Sequence, residues 1–280
     1  MRVKMIPVVL LHLLLFTGFA GAGEITAEET VVGLPLTGQE AVEFLSTAEV
    51  TSKPEDFDDL AITSPRRMEL SDGSRSLRVI FKDENTLHRG THQFGDGRQV
   101  PMVKDSYLHE IAAFELAQML GLDMVPPCVE RKLYSRRGSL CLWVENAMTE
   151  ADRKERGLEP PGWKMWNEQM FLAHLFQQLI SDQDFPNIRN LIVDSNFRIY
   201  KVDSSMSFYP ERSLRDEDQP TRFSRQFLEA LESLDQAALE ERLKPWTGKG
   251  ERKTLWARRN RILELATQLV AELGEKEVLY

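Results

Sequence analysis

Cysteine is scarce in this chain, two in 280 residues, and histidine nearly so, with five. No Cys-x-x-Cys pair is present and the histidines are read as offering no zinc set, which excludes a zinc-finger or zinc-ribbon module. The Gly-x-Ser-x-Gly elbow of hydrolases and a complete Walker phosphate loop are missing. So are internal repeats and low-complexity tracts. Basic residues are the minority charge, 35 against 44 acidic, for a formal net charge of −9. That balance argues against a general binder of nucleic acid or of anionic membranes.

The one long apolar run lies at the N-terminus. Arg2 and Lys4 precede a largely apolar stretch over residues 5–20, and Ala20-Gly-Ala22 has the small-residue spacing of a signal-peptidase site. The run is short for a membrane span. An export signal over residues 1–22 is therefore expected, with an N-terminal anchor as the alternative, and no Cys follows the run to take a lipid. Its removal takes away two basic residues and no acid, leaving 33 basic against 44 acidic residues and a net charge of −11. The mature chain is expected in the periplasm or outside the cell, with no stable membrane insertion. It is long enough for one large domain or a two-lobed one. In an oxidising compartment Cys128 and Cys141 either pair or remain two buried thiols. A hairpin turning near residues 136–138 would leave them out of direct opposition.

Periodicity gives the order of elements. Residues 24–37 are a lead-in, and 38–50 read as a short amphipathic helix with Ala41, Phe44, Leu45 and Ala48 on one side. Residues 51–64 are a loop. Asp72-Gly73, between two apolar-containing runs over 67–82, marks a hairpin. Residues 83–105 hold little apolar content and read as a long loop. A helix follows over 106–120, stopped by Gly121, and then strands over 125–133 and 139–144. Residues 146–162 are a polar connector. Helices are expected over 166–180, 222–243 and 253–274. A β-rich half followed by a helical half predicts an α+β fold of two lobes: a small lobe over 51–145 after the lead-in, and a helical lobe over 146–280, with a hinge near 144–148.

The chemistry concentrates in Asp182-Gln-Asp184-Phe-Pro-Asn-Ile-Arg-Asn190 and Tyr200-Lys-Val-Asp203. An acid, an asparagine, a strand, a turn and a second acid form the set that phosphoryl transfer needs. One carboxylate aligns or deprotonates an acceptor hydroxyl, and an amide oxygen with a second carboxylate holds the metal that neutralises the phosphates. Thirteen residues separate Asn190 from Asp203, about the length of a strand-turn-strand hairpin. A solvated hairpin with stray acids is the plain alternative. His109 and His174 fall in helices and read as packing or surface residues. The basic run Arg258-Arg-Asn-Arg261 reads as a solvated helix face paired with glutamates, or as a docking patch.

In this order the residues resemble the protein-kinase-like superfamily in its atypical branches: HipA-like, phosphoinositide, spore-coat CotH and secretory-pathway kinases. They are most similar to a set of bacterial exported kinase-like proteins. Those share a strand lysine, Glu-Ile-Ala-Ala-Phe, Leu-Gly-Leu-Asp-Met-Val-Pro-Pro and Gly-Ser-Leu-x-Leu-Trp-Val-Glu. The resemblance covers about residues 40–280 and implies the following roles. Lys82 matches the lysine that contacts the nucleotide phosphates, and Glu110 the helix glutamate that pairs with it, with Glu115 as a rival. Gly73 and Ser74 would cover the phosphates, and Glu145 would end the hinge whose backbone reads the adenine. Asn190 and Asp203 would bind metal. Asp184 would be the catalytic acid, with Asp182 left open as the alternative.

Departures from the pattern stand beside the matches. Asp184 precedes Asn190 by six residues where the family has five. Phe185-Pro186 replace the usual basic neighbour, and Asp203 is followed by Ser-Ser. The implied function is an exported phosphotransferase using ATP with Mg²⁺ or Mn²⁺. Its acceptor is open among protein, sugar, lipid and small molecule. The alternative is a catalytically silent module that binds a nucleotide or a partner protein.

Overall fold

The computed structural model describes residues 31–56, 65–94, 97–218 and 220–280. The export signal expected over residues 1–22 lies outside them. Helix α1 (Gly38–Thr47) buries Ala41, Phe44 and Leu45, the i, i+3, i+4 stripe its sequence shows. Strands β1 (Glu49–Val50), β2 (Glu55–Asp56), β3 (Arg66–Ser71) and β4 (Ser76–Lys82) follow. Then come β5 (Asn85–Gln93), β6 (Gln99–Ser106), α2 (Tyr107–Met119), β7 (Cys128–Leu133) and β8 (Arg136–Leu142). One antiparallel sheet has the order β1-β3-β4-β8-β7, with β2 paired to β3.

Alternation along β4 drives Val79 and Phe81 into the small core with Phe44, Leu45, Met68, Leu70 and Leu140. Because side chains alternate across a strand, Lys82 emerges on the face opposite α1. Helix α2 instead sends Ile111, Phe114 and Leu116 into a second, larger core. Lys82 and Glu110 therefore ride on different cores.

The second core is helical. Besides α2 it is built, after β9 (Ala147–Thr149) and α3 (Glu150–Glu155), on α4 (Trp163–Ile180), which packs Leu175, Phe176 and Leu179 inward. The hairpin β10 (Leu191–Asp194) and β11 (Ile199–Lys201) pairs with β9 in a three-stranded sheet. Helices α5 (Arg225–Ser233), α6 (Gln236–Leu243), α7 (Lys249–Leu273) and α8 (Glu275–Val278) close the chain. Among the described residues no helix is long and apolar enough to cross a membrane.

Several expectations are corrected. The long loop over 83–105 is a ribbon of β5 and β6. Strand β5 is largely exposed and lacks the alternation of a half-buried strand, whereas β6 buries Val100, Val103, Asp105 and Ser106 but interrupts its few apolar residues with Pro101 and Lys104. The polar connector holds β9 and α3, the latter opened by a capping box between Thr149 and Asp152. The helix expected over 222–243 is two, because the Asp235 carboxylate accepts from Ala238 N at 2.7 Å and starts a new N-terminus. The β7–β8 hairpin turns at Tyr134-Ser135, both with positive φ, and not near residue 137. That register sets Cys128 directly opposite Cys141, and the two form a disulfide. Arg258 is no solvated residue: it is fully buried and donates to the carbonyls of Leu179 at 2.8 Å, Tyr209 at 3.2 Å and Glu211. Burial drops its pKa to about 9. Arg261, by contrast, does pair with Glu217 at 2.7 Å.

Gly138 on β8 is where the sheet closes on the lysine strand. A Cβ there would lie 2.7 Å from the Phe81 ring and far inside contact with the Lys82 carbonyl. Gly138→Ala should therefore lower the unfolding free energy by about 1–3 kcal/mol, as overpacking does, read from urea denaturation. Wild-type stability in this variant would contradict the packing described.

Candidate functional site

Lys82 is the centre of the site. Its ammonium donates to Glu110 Oε1 at 2.6 Å and to Asp203 Oδ1 at 2.7 Å. The other Glu110 oxygen accepts from Ser204 N at 2.9 Å, so one glutamate holds both the lysine and the turn after Asp203. The rival Glu115 points elsewhere and pairs with Arg242. Burial works to lower the Lys82 pKa, but the charges of Asp203 and Glu110 outweigh it and raise it well above the ordinary lysine value. Burial likewise works to raise Asp203, and Lys82 overrides it, holding the carboxyl at about 2.

Helix α4 ends on Ser181 in a left-handed conformation, φ 48°, and the acid loop begins there. Asp184 Oδ2 accepts from Asn187 Nδ2 at 2.8 Å and from Asn190 Nδ2 at 2.9 Å. Burial pushes the Asp184 carboxyl up, as do the charges of Asp182 and Asp203, against the amides of the two asparagines. Asp182 is occupied differently: it is buried and paired with Lys201 at 3.0 Å. The β10–β11 register sets Leu191 opposite Lys201, and Val202 N donates to Asn190 O at 3.0 Å. The hairpin thus brings Asn190 and Asp203 to the same end.

Other expected residues stand apart. Gly73 and Ser74 belong to the turn between β3 and β4, at the start of β4, whereas Lys82 is its last residue. At ~3.3 Å per residue the six steps from Ser76 to Lys82 span on the order of 20 Å. The register Arg66↔Phe81 puts the beginning of β3, not its end, beside the lysine. Ser74 is also committed to its own turn, donating to Asp72 Oδ1 through N at 2.9 Å and Oγ at 2.7 Å. The backbone N–H and C=O of Glu145 both bond Gly33, at 2.8 and 2.9 Å, and its carboxylate holds Arg78. A base read by the Trp143–Glu145 segment needs backbone groups other than those of Glu145.

Three features were not singled out from the sequence, while His109, read there as a packing or surface residue, is a packing one. Asp105, at the end of β6, is 2% exposed, and burial raises its pKa beside the charges of Asp203, Lys82 and Glu110. Arg98, from the ribbon, donates to Gln183 Oε1 at 2.7 Å and Gln183 O at 2.5 Å, anchoring the acid loop. His109 is fully buried, with Nδ1 3.1 Å from Ser205 O. His88 and His92, four residues apart, face each other on β5 with ring centroids 5.9 Å apart, a pairing the zinc reading passed over. Asp105, a carboxylate just before the helix of Glu110, and the His-x-x-x-His spacing of residues 88–92 both left a signal in the sequence.

The donor atoms suit a hard cation. Asn190 turns its amide nitrogen to Asp184, which leaves Oδ1 facing away. Asp203 Oδ2 accepts no hydrogen bond from the described residues, and the side chain is 46% exposed. Among the described residues no group of three or more His, Cys, Asp or Glu side chains is arranged to hold a metal alone. One amide oxygen and one carboxylate are oxygen donors of the kind Mg²⁺ accepts together with waters and substrate phosphates.

The fold, a β-rich lobe followed by a helical lobe, is kinase-like: it matches solved structures that include two kinases. The solved structures it resembles include Fam20 of hydra with a sugar, at 16% identity and TM-score 0.64, covering 90% of this chain and 96% of that one. A Golgi casein kinase matches at 13% identity and TM-score 0.58, covering 86% and 78%. The proinflammatory kinase CtkA of Helicobacter pylori matches at 11% identity and TM-score 0.52, covering 82% and 98%. No protein-family model matches the sequence, and no curated protein matches it.

The charge arrangement fixes a pH signature. In the wild type, Asp203 at about 2 lies below its unfolded value of ~3.9, so its contribution is complete above ~4 and fades as pH falls toward 2. Lys82→Met removes the cation that Glu110, Asp203 and Asp105 share, leaving only Lys201 beside Asp203, so ionised carboxylates then repel one another. The variant should then lose stability as pH rises from ~4 to 7, reaching on the order of 3 kcal/mol below wild type at pH 7. Urea midpoints across that range check this. A deficit that does not change with pH would contradict it.

Proposed function

We propose that this chain is an exported phosphotransferase of the kinase-like class, using ATP with Mg²⁺ or Mn²⁺ and a hydroxyl-bearing acceptor. The observation that carries the reading is the meeting of Lys82 with Glu110 and Asp203, with Asp184 and Asn190 at the end of the adjoining hairpin. The kinase names of two structural neighbours support it. The disulfide suits an oxidising compartment, in keeping with an export signal over residues 1–22.

Lys82, held by Glu110, offers a rigid cation to phosphate oxygens. Asn190 Oδ1 and the Asp203 carboxylate would hold the metal, which when bound neutralises charge on the phosphates. Asp184 faces the acceptor as aligning or proton-accepting carboxylate. Its raised pKa places it closer to neutrality, where a general base works best. Catalysis would then rest on positioning and charge neutralisation. A silent nucleotide-binding module is the second reading, favoured by one observation: the backbone of Glu145 is taken by Gly33.

Lys82 competes with metal for Asp203. Titration calorimetry should therefore separate two effects. Lys82→Met should bind Mn²⁺ alone at least as tightly as wild type, yet bind the Mn²⁺–ATP complex at least tenfold more weakly, about 1.4 kcal/mol. Asp203→Asn should lose both. A wild-type chain giving no heat with any metal–nucleotide mixture would sink the reading.

A further inference from the structure

Lys201 and Asp182 form a buried ion pair that the roles above do not use. Lys201 has no exposed surface, and Asp182 is 1% exposed. The ammonium donates to two carbonyls, Val202 O at 2.5 Å and Asp203 O at 2.9 Å, and lies 3.0 Å from Asp182 Oδ2 as an ion pair. The carboxylate is shared in turn, since Asp182 Oδ1 accepts from Asp184 N at 3.0 Å. One end of the pair thus grips the backbone of Asp184 and the other the carbonyl of Asp203. Asp203 itself sits at φ 55°, a left-handed conformation that a residue with a Cβ rarely adopts unless its surroundings hold it there.

We propose that Lys201 and Asp182 are positioning residues for the metal and nucleotide site, coupling the Asp184 loop to the Asp203 turn. The inference rests on the metal–nucleotide reading of that site. Burying two charges is costly, and an apolar pair of similar size would often stabilise a fold as well or better. What an apolar pair cannot do is hold two carbonyls and an amide from separate segments in fixed register. In Lys201→Met the Asp203 carbonyl loses its donor, and the turn is free to leave φ 55°. The Asp203 carboxylate then departs from the end of the hairpin where Asn190 lies. With Asp182 neutral, the Asp184 backbone loses its charged acceptor, while Lys201 keeps its carbonyls.

The test uses the full chain with Lys201→Met, Asp182→Asn, the double variant and Arg258→Met as a comparison. Arg258 is an equally buried cation that donates to backbone carbonyls and touches neither Asp184 nor Asp203. Each variant is checked for folding by circular dichroism, and its Mn²⁺–ATP affinity is measured by titration calorimetry. Loss of a supporting partner in a metal site weakens metal affinity ~10–100-fold. A loss in that range is expected for folded Lys201→Met and for Asp182→Asn. The double variant should be no weaker than the worse single, because the pair acts as a unit. Arg258→Met should melt lower and keep wild-type affinity.

Wild-type affinity in folded Lys201→Met would overturn the positioning role and leave the site reading intact. If Lys201→Met does not fold, Asp182→Asn decides alone, since it preserves shape and both carbonyl bonds. No binding by the wild type would overturn the site reading, and the positioning role with it.

Discussion

Three carboxylates crowd one ammonium where the two cores of this fold meet. Lys82 ends a strand anchored in the small core. Glu110 belongs to a helix packed into the large core. Asp203 ends the hairpin segment, and Asp105 lies buried beside them. Without the lysine, like charges would face one another in a partly desolvated space, where repulsion is weakly screened. Its presence turns that repulsion into the contact that ties strand, helix and turn together. The geometry of the site and the relation of the cores at this point depend on the same side chain.

The surrounding structure limits what the lysine can do. Close packing of Gly138 against Phe81 and the Lys82 carbonyl leaves the strand end little freedom. The Glu110 carboxylate bonds Ser204 N as well as Lys82, so helix and turn are placed together. On the other side, Arg98 reaches from an exposed ribbon to fix Gln183 between the two acids of the loop. Rigid elements supporting each charged group are what preorganised electrostatics requires. Asp203 is the exception: its carboxylate is the most exposed of the group, as a ligand for an incoming cation has to be.

Much of this was legible in the sequence because the polar residues lie at the ends of strongly patterned elements. Lys82 closes an apolar strand, Glu110 stands in the first turn of a helix, and Asn190 and Asp203 flank a short apolar hairpin. The hidden parts share a physical cause. Strand β5 of the ribbon is exposed on most of its length, so burial leaves no alternation to read there, and Pro101 and Lys104 break the apolar pattern of β6. Lys201 and Asp182 look like surface charges until both are seen to be buried together. The Asp72-Gly73 turn lies where the sequence puts it, but its distance from Lys82 was not legible, because turn chemistry records backbone shape and not what lies beyond it. The disulfide stayed open because the turn was placed near residues 136–138, whereas Tyr134 and Ser135 adopt positive φ without glycine.

The account turns on Lys82 yielding Asp203 to a metal. The most direct test is a crystal structure of the chain with Mn²⁺ and a non-hydrolysable ATP analogue, located by manganese anomalous scattering. The account predicts one anomalous peak between Asn190 Oδ1 and the Asp203 carboxylate, with Lys82 still on Glu110 and turned to the phosphates. Manganese bound elsewhere, with the Lys82–Asp203 pair intact and the nucleotide away from it, would contradict it.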